Sequence, residues 1–244
     1  SFNSTFYITD DKTNKYSLRV NLNFSRDKSA ITAEHKWLAE INKWKKINVP
    51  QPIKTLNGQT YAHVYSKKLE FFLDCTLAHW IEGEEIGDEP TNSQLFELGR
   101  IMALMHENSA GLPRSAYPGF PDIDSVFMDM QNNLDKTTTI SEDLELVDLL
   151  SRAQKDAETA FTDLAAHESK MLIHADLHMG NVIQNHEELT IIDFDDAGYG
   201  YSSQDLSIAI FYLRDNLEKE HKLLEGYKSI RAIPEGLFST LERL

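Results

Sequence analysis

Two short polar segments, each placed after an apolar stretch, carry the residues most able to do chemistry. In the first, Leu172 and Ile173 lead into a loop that holds Asp176 and, five positions later, Asn181. In the second, a run of mostly apolar residues ends at Asp193. Short apolar runs of this kind are typical of buried strands. We therefore expect the two loops to present their carboxylate and carboxamide groups to a common centre.

Phosphoryl transfer requires this set of groups. One carboxylate orients the attacking hydroxyl and accepts its proton, while a carboxamide and a second carboxylate hold Mg²⁺ against the phosphates. Mg²⁺ prefers such oxygen ligands. Kinases use the order H-x-D-x-x-x-x-N followed by D-F-G, and this chain has His174, Asp176, Asn181 and Asp193 in that order. Asp and Asn also favour ordinary turns, but the downstream Asp193 makes phosphoryl transfer the preferred interpretation.

The same segments resemble the aminoglycoside phosphotransferase and choline kinase-like family. Residues 174–181 read HADLHMGN, similar to the family's H-G-D-L-H-P-G-N, and residues 192–195 read IDFD, similar to its I-D-[FW]-[DGE]. Further segments match in the family's order: VPQP at 49–52, WIEGE at 80–84, LGRIMALMH at 98–106 and QDL at 204–206. The matches span nearly the whole chain, and the first two are specific as a pair.

The resemblance implies a role for each matching residue of the two loops. Asp176 would be the catalytic base, and Asn181 and Asp193 would hold Mg²⁺. His174 would be structural, and Asp205 would bond the catalytic loop from the helix that follows it. The co-substrate would be ATP or GTP.

The resemblance also implies a nucleotide site. Arg19 would contact phosphates and pair with Glu34, Ser4 would lie in the phosphate-covering loop, and Ala78 and Trp80 would belong to a hinge that meets adenine through backbone groups. Two features depart from the kinase pattern, because Arg19 stands where Lys is usual and residues 1–5 contain no glycine. The guanidinium fork suits both phosphate and carboxylate partners. Glu40 is the competitor of Glu34 for the pairing with Arg19.

The acceptor is less defined than the nucleotide. His178 either contacts the substrate or only fills the loop. Asp195 and Asp196 either bind a cationic acceptor or are solvated or hydrogen-bonded to the local backbone. Members of the family phosphorylate aminoglycosides, choline, homoserine, sugars or, in some branches, protein Ser/Thr. We expect specificity to lie around residues 110–170, which hold no diagnostic motif.

Two other functions are compatible with parts of the pattern. A kinase-fold module that binds nucleotide or a partner without transferring phosphate is suggested by Arg19 and by the missing glycines. A zinc-dependent hydrolase is suggested by His174, Asp176 and His178 at alternate positions, but that hypothesis needs further His ligands and gives Asn181 and Asp193 no task.

Periodicity predicts the elements that must position these groups. Strands are expected at 5–8, 16–24, 60–66, 69–77, 171–174 and 189–194. Helices are expected at 29–46, capped by Ser29, at 92–108, at 141–168 with one or two breaks, at 203–216 and at 217–228. This order, a small β-rich half followed by a larger helical half, predicts an α+β arrangement, and the resemblance implies a bilobal protein-kinase-like fold. The resemblance further implies a nucleotide-binding lobe at residues 1–77 and a helical catalytic and substrate lobe at 78–244. A kinase small lobe normally has five strands and four are predicted here, so we expect that the sequence lacks the first strand and that the native protein extends beyond both ends.

Composition narrows the partners. The formal net charge is −15, which opposes nucleic acid as a partner and suits a small hydroxylated, cationic acceptor. Cys75 is the single cysteine, so no intrachain disulfide can form. The chain has no apolar run long enough to span a membrane and no secretory leader pattern. We therefore expect a cytoplasmic protein that binds no membrane.

Overall fold

The computed structural model describes residues 3–22, 28–127, 143–235 and 237. The chain forms two compact units. Unit 1 comprises Ser1–Pro90, Pro113–Phe120 and Met179–Asp195, and unit 2 comprises Thr91–Leu112, Pro121–His178 and Asp196–Leu244. The chain crosses between the units several times, and the functional division into residues 1–77 and 78–244 stays a prediction.

Unit 1 contains an antiparallel sheet of five strands. Its strands are β1 (Asn3–Thr9), β2 (Lys15–Asn21), β3 (Pro52–Ile53), β4 (Ala62–Ser66) and β5 (Phe71–His79). β5 is central, because β2 lies along one edge while β4 and β3 pair in turn along the other. The predicted β1–β2 hairpin is confirmed, and the end of its second predicted strand lies outside the described residues. Asp10 closes the turn by accepting the N–H groups of Lys12 and Asn14, both at 2.9 Å.

One helix of unit 1, α1 (Lys28–Trp44), buries an apolar stripe. Trp37 is fully buried and meets the rings of Phe120 and Phe194 edge-to-face, with centroids 5.7 and 5.5 Å away. The prediction of Ser29 as the N-cap is wrong, since the helix already includes Lys28.

A second, three-stranded sheet completes unit 1. It consists of β6 (Glu84–Glu85), β8 (Val182–Asn185) and β9 (Glu188–Ile191) in the order β6-β8-β9. β9 matches part of the strand predicted at 189–194. β6 and β8 were not predicted, because runs of two and four residues carry too little periodicity.

Unit 2 is mainly helical. Its helices are α2 (Asn92–Ala110), α3 (Leu144–His167), α4 (Ser202–Phe211) and α5 (Leu217–Lys228), and β7 (Met171–Ile173) pairs with β10 (Gly198–Gly200). The predicted helices at 92–108 and 217–228 are confirmed. The helix predicted at 203–216 ends at Phe211, and α3 is unbroken from Leu144, with the start predicted at 141 outside the described residues.

Two glycines allow α2 and α5 to pack backbone against backbone. A Cβ atom on Gly99 would lie 1.9 Å from the carbonyl oxygen of Leu223, and one on Gly226 would lie 1.8 Å from that of Phe96. Neither site has room for a side chain, so this close approach depends on glycine at both positions. Within the described part of the chain, none of the helices has both the length and the apolar character that crossing a bilayer demands.

Candidate active site

The β8–β9 hairpin of unit 1 carries both predicted metal ligands. Asn181 directly precedes β8, and Asp193 is the second residue after the end of β9. The ladder continues past its last strand pair, because the N–H of Ile192 donates to the carbonyl of Asn181 at 2.9 Å. Asn181 is buried, in a 3₁₀ turn formed by Met179–Asn181. The hairpin thus brings the backbone at Asn181 next to that at Asp193.

The backbone turns sharply at Asp193. Its φ of 61° lies in the left-handed region, which Asp tolerates better than most residues. The next residue, Phe194, is buried against Trp37 and anchors the turn. Because the neighbour is fixed in the core, the Asp193 carboxylate stays at the surface of the unit, with 35% of its side chain exposed.

Three carboxylates of unit 1 lie around the guanidinium of Arg19 of β2. Its guanidinium lies 3.8 Å from Glu34 of α1 and 3.3 Å from Asp193, and it also contacts Asp195. Asp195 further accepts a hydrogen bond from the Asn3 side chain. The sequence left open whether Asp195 contacts the acceptor or has a local role, and in the structure it contacts Arg19 and Asn3.

Glu34 and Glu40 competed for the pairing with Arg19. Glu34 is buried and faces Arg19, whereas Glu40 pairs with Lys43 at 3.1 Å on the exposed face of the same helix. The structure therefore brings Glu34, and not Glu40, to Arg19.

The predicted hinge lies at the end of β5. Ala78 is paired with Ser17 on one side and Pro52 on the other. The N–H groups of His79 and Trp80 donate to the carbonyls of Gln51 and Lys15, each at 3.1 Å. Those two donors are engaged within the protein, so adenine recognition at residues 77–80 would use other backbone groups. Ser4 lies on β1, opposite Val20 of β2.

In unit 2, the loop that follows β7 is held by Asp205 of α4. The Asp205 carboxylate accepts the N–H of Ala175 at 2.8 Å and that of His174 at 3.4 Å. The N–H of Asp176 in turn donates to Nδ1 of His174 at 3.3 Å. Ala175 has a φ of 65°, a left-handed conformation that alanine disfavours. The bonds to Asp205 thus hold a strained turn directly before Asp176.

Asp205 is fully buried together with His106 of α2. Burial by itself raises the pKa of Asp205, but the hydrogen bond from His106, the nearby ring of His174 and the N–H of Ala175 together bring that pKa below its ordinary value. Nε2 of His106 lies 2.9 Å from Asp205, and Nδ1 lies 2.9 Å from the hydroxyl of Tyr227. Asp205 therefore remains ionised at neutral pH.

His178 lies beside Asp176 in the same unit. Its Nε2 is 3.8 Å from the Asp176 carboxylate, and its ring stacks on Tyr212 with centroids 4.5 Å apart. Tyr212 is 54% exposed. Asp196 is exposed and belongs to unit 2, whereas Asp195 belongs to unit 1.

Sequence reasoning missed Tyr212 and Tyr227. Neither falls in a recognised motif, and both meet their partners across long stretches of chain. For His106 a sequence signal was present, because a histidine ends the apolar stripe of α2. In the structure this histidine is fully buried. A buried ionisable residue of this kind needs polar partners.

The donors on the β8–β9 hairpin fit Mg²⁺ better than zinc. Asn181 and Asp193 offer hard oxygen atoms, the type that Mg²⁺ binds together with substrate phosphates. Across residues 3–22, 28–127, 143–235 and 237, no three His, Cys, Asp or Glu side chains come together as a metal-binding group. The zinc hydrolase hypothesis thus has no ligand set within that part of the chain.

Comparison with known proteins identifies the family. The model of the phosphotransferase enzyme family, APH, matches residues 2–230. Amicoumacin kinase of Bacillus subtilis (strain 168) is 26% identical over 201 residues, which cover 80% of this chain and 56% of that protein. The chain therefore spans little more than half the length of the curated relative it matches.

Solved structures show the same fold. An amicoumacin kinase in complex with AMP-PNP, Ca²⁺ and Ami superposes with a TM-score of 0.79 at 18% identity and covers 100% of this chain and 74% of its own. A microcompartment-associated aminopropanol kinase superposes with a TM-score of 0.71 at 24% identity, over 100% and 77% of the two chains. The predicted α+β, kinase-like fold is confirmed. Since the family model covers almost all of the sequence, the chain belongs to the APH phosphotransferase enzyme family.

Proposed function

We propose that this protein transfers the γ-phosphate of ATP or GTP to a hydroxyl group of a small molecule. The β8–β9 hairpin is the observation that carries the proposal, because it brings Asn181 beside the residue that precedes Asp193. A carboxamide and a carboxylate at the end of one hairpin are the oxygen pair that a kinase needs for its metal ion. Membership of the phosphotransferase family supports the same activity.

In the proposed mechanism, Asp176 orients the acceptor hydroxyl and takes its proton as the oxygen attacks the γ-phosphorus. The bond from that phosphorus to the β,γ-bridging oxygen breaks, and the nucleoside diphosphate leaves. The buried carboxylate of Asp205 accepts the N–H groups of His174 and Ala175 and so fixes the orientation of the Asp176 side chain. Positioning of this kind supplies much of the rate in phosphoryl transfer, since the loose transition state needs little covalent help.

Asn181 and Asp193 would hold Mg²⁺, which neutralises charge on the phosphates when bound. Arg19, kept in place by Glu34, would contact the nucleotide phosphates. Ser4, Ala78 and Trp80 stay proposed nucleotide contacts.

The acceptor we propose is a small amino alcohol or a related cationic compound. The formal net charge of −15 attracts cations. Aminopropanol, named in one structural relative, carries a protonatable amine beside its hydroxyl. His178, stacked on the exposed Tyr212 and next to Asp176, is the proposed acceptor contact, with Asp196 as a second candidate. We also propose a cytoplasmic location and no nucleic-acid or membrane partner.

A labelled-nucleotide assay with a panel of acceptors tests the function. The panel contains amicoumacin, aminopropanol, choline, an aminoglycoside, a neutral sugar and a generic protein substrate. We expect Mg²⁺-dependent transfer to at least one amine-bearing alcohol. The Asp176→Asn variant should lose at least about 10³-fold in turnover while nucleotide affinity, measured by titration calorimetry, persists. Asp156→Asn, which removes an exposed carboxylate from α3, is the matched control.

Asp193→Ala separates the metal role from the base role. We expect it to weaken binding of the Mg²⁺–nucleotide complex in calorimetry, with less effect on nucleotide added without Mg²⁺. Full activity of Asp176→Asn would remove Asp176 from the mechanism, and unchanged Mg²⁺–nucleotide affinity of Asp193→Ala would remove the metal role.

The alternative is a nucleotide-binding module without transfer activity. Arg19 in the place of the usual Lys and the lack of glycine in residues 1–5 favour it. Nucleotide binding by calorimetry without transfer to any member of the panel, and without nucleotide hydrolysis, would support this alternative.

A further inference from the structure

We propose that Tyr227 is a positioning residue for phosphotransfer, which acts by fixing one tautomer of His106 and, through it, the carboxylate that holds the Asp176 loop. The inference rests on the proposed function for its catalytic consequence. Its structural half concerns the loop alone and is testable without a known acceptor.

The contacts form an unbroken buried series within unit 2. The Tyr227 hydroxyl lies 2.9 Å from Nδ1 of His106, and Nε2 of the same ring lies 2.9 Å from Asp205. Asp205 accepts the N–H of Ala175 at 2.8 Å. Tyr227, His106 and Asp205 are each 0% exposed, so water is no substitute for a lost partner.

Each hydrogen bond takes a definite direction once the His106 ring is taken as neutral. An ionised carboxylate only accepts, so the bond between His106 and Asp205 requires a proton on Nε2. In the neutral ring Nδ1 then holds a lone pair and needs a donor. We assign this donor to the O–H of Tyr227, whose oxygen also hydrogen-bonds with Ser202; burial raises the pKa of the phenol and keeps it protonated. Without that donor, the ring loses the partner that selects this tautomer.

Ala175 makes the loop dependent on this support. The family motif has glycine at this position, and glycine adopts a left-handed conformation without strain. Alanine at a φ of 65° relaxes to another conformation unless its surroundings hold it. One carboxylate oxygen of Asp205 accepts the N–H of Ala175, and the other is hydrogen-bonded to Nε2 of His106. If the His106 ring is held less firmly, the backbone that orients the Asp176 side chain is therefore also held less firmly.

Nitrogen-15 NMR of the full chain tests the structural half. In the unsubstituted protein we expect the His106 ring to show a protonated Nε2 and an unprotonated Nδ1 at neutral pH. In Tyr227→Phe we expect that pattern to be lost or averaged, and the Ala175 amide to exchange with solvent at least about tenfold faster. Tyr201→Phe is the control, because Tyr201 is also buried in unit 2 but interacts with the charges of Asp124 and Lys170.

Kinetics test the catalytic half, with Mg²⁺-dependent ATP hydrolysis as the probe and water as the acceptor. We expect Tyr227→Phe to lower kcat about tenfold, the effect of about 1.4 kcal/mol on the barrier, while KM for ATP changes less than about twofold. A purely structural loss would speed the exchange of buried amides throughout unit 2, whereas the proposed role predicts faster exchange at Ala175 in particular, together with the change in the ring pattern.

The two measurements separate the possible failures. A His106 ring that carries its proton on Nδ1, or on both nitrogens, in the unsubstituted protein overturns the proposal, as does unchanged Ala175 exchange in Tyr227→Phe. Unchanged kcat together with faster exchange overturns the catalytic half. If neither protein hydrolyses ATP or phosphorylates an acceptor, the proposed function fails, and the NMR result alone decides whether Tyr227 holds the loop.

Discussion

Gly99→Ala directly tests the backbone contact between α2 and α5. The added Cβ would lie 1.9 Å from the carbonyl oxygen of Leu223 and 2.8 Å from the backbone nitrogen of Tyr227. Real Cβ contacts essentially never fall below 3.0 Å, so the helices must separate by at least about 1.1 Å, the difference between 3.0 and 1.9. Both obstacles are backbone atoms, which cannot rotate away as a side chain can.

The expected cost follows from two opposing terms. Overpacking of a close contact costs about 1–3 kcal/mol, and a backbone obstacle places Gly99→Ala at the upper end. Alanine recovers about 1 kcal/mol of helix propensity relative to glycine. The net loss is therefore about 2 kcal/mol of unfolding free energy, which for a chain of this size lowers Tm by about 4–8 °C.

Thermal unfolding followed by circular dichroism measures this loss. Gly111→Ala is the matched control, because the Cβ there meets nothing within 4 Å and the backbone is already right-handed. We expect the control to leave Tm unchanged or slightly raised. Equal Tm values for Gly99→Ala and Gly111→Ala would refute the inferred close approach of the helices.

Two further substitutions test the loop before Asp176. Ala175→Gly should raise the unfolding free energy by about 1 kcal/mol if relief of the left-handed strain outweighs the added chain entropy, and a fall measured by urea denaturation would mean that the turn is not strained. Asp205→Asn tests pH dependence: since folding lowers the pKa of Asp205 below 3.8, its charge stabilises the native protein above that pH, and the contribution is lost as pH falls through the folded pKa. We therefore expect the unfolding free energy of the unsubstituted protein to approach that of Asp205→Asn on acidification, and a stability difference independent of pH would contradict the charged state.

Much of the fold was predictable because its long elements have a clear period. The β1–β2 hairpin alternates around a turn rich in Asp and Asn, and α2 carries apolar residues at helical spacing with Thr91 as its cap. β8 was missed because four residues between Asn181 and a turn are too few to show a strand period. Ser29 was misassigned because Ser, a common N-cap, is also tolerated inside a helix.

The composition of the candidate site was readable, but its internal contacts were not. Asp176, Asn181 and Asp193 were selected by residue type and spacing along neighbouring stretches of chain. The contact of Arg19 with Asp195 joins residues 176 positions apart, and that of His106 with Tyr227 joins residues 121 positions apart. No local pattern encodes such pairs, because they arise only when distant elements pack together.

The late segment Met179–Asp195 in unit 1 has a consequence for synthesis of the protein. The strands β1–β5 and α1 precede this segment in the chain and must wait for it, since Phe194 supplies one of the rings against the fully buried Trp37. Contacts between such distant residues form slowly, because the intervening chain loses entropy when the loop closes. Until this segment has been synthesised, the Trp37 ring lacks the Phe194 partner that it has in the folded unit, and apolar surface left uncovered in this way favours aggregation.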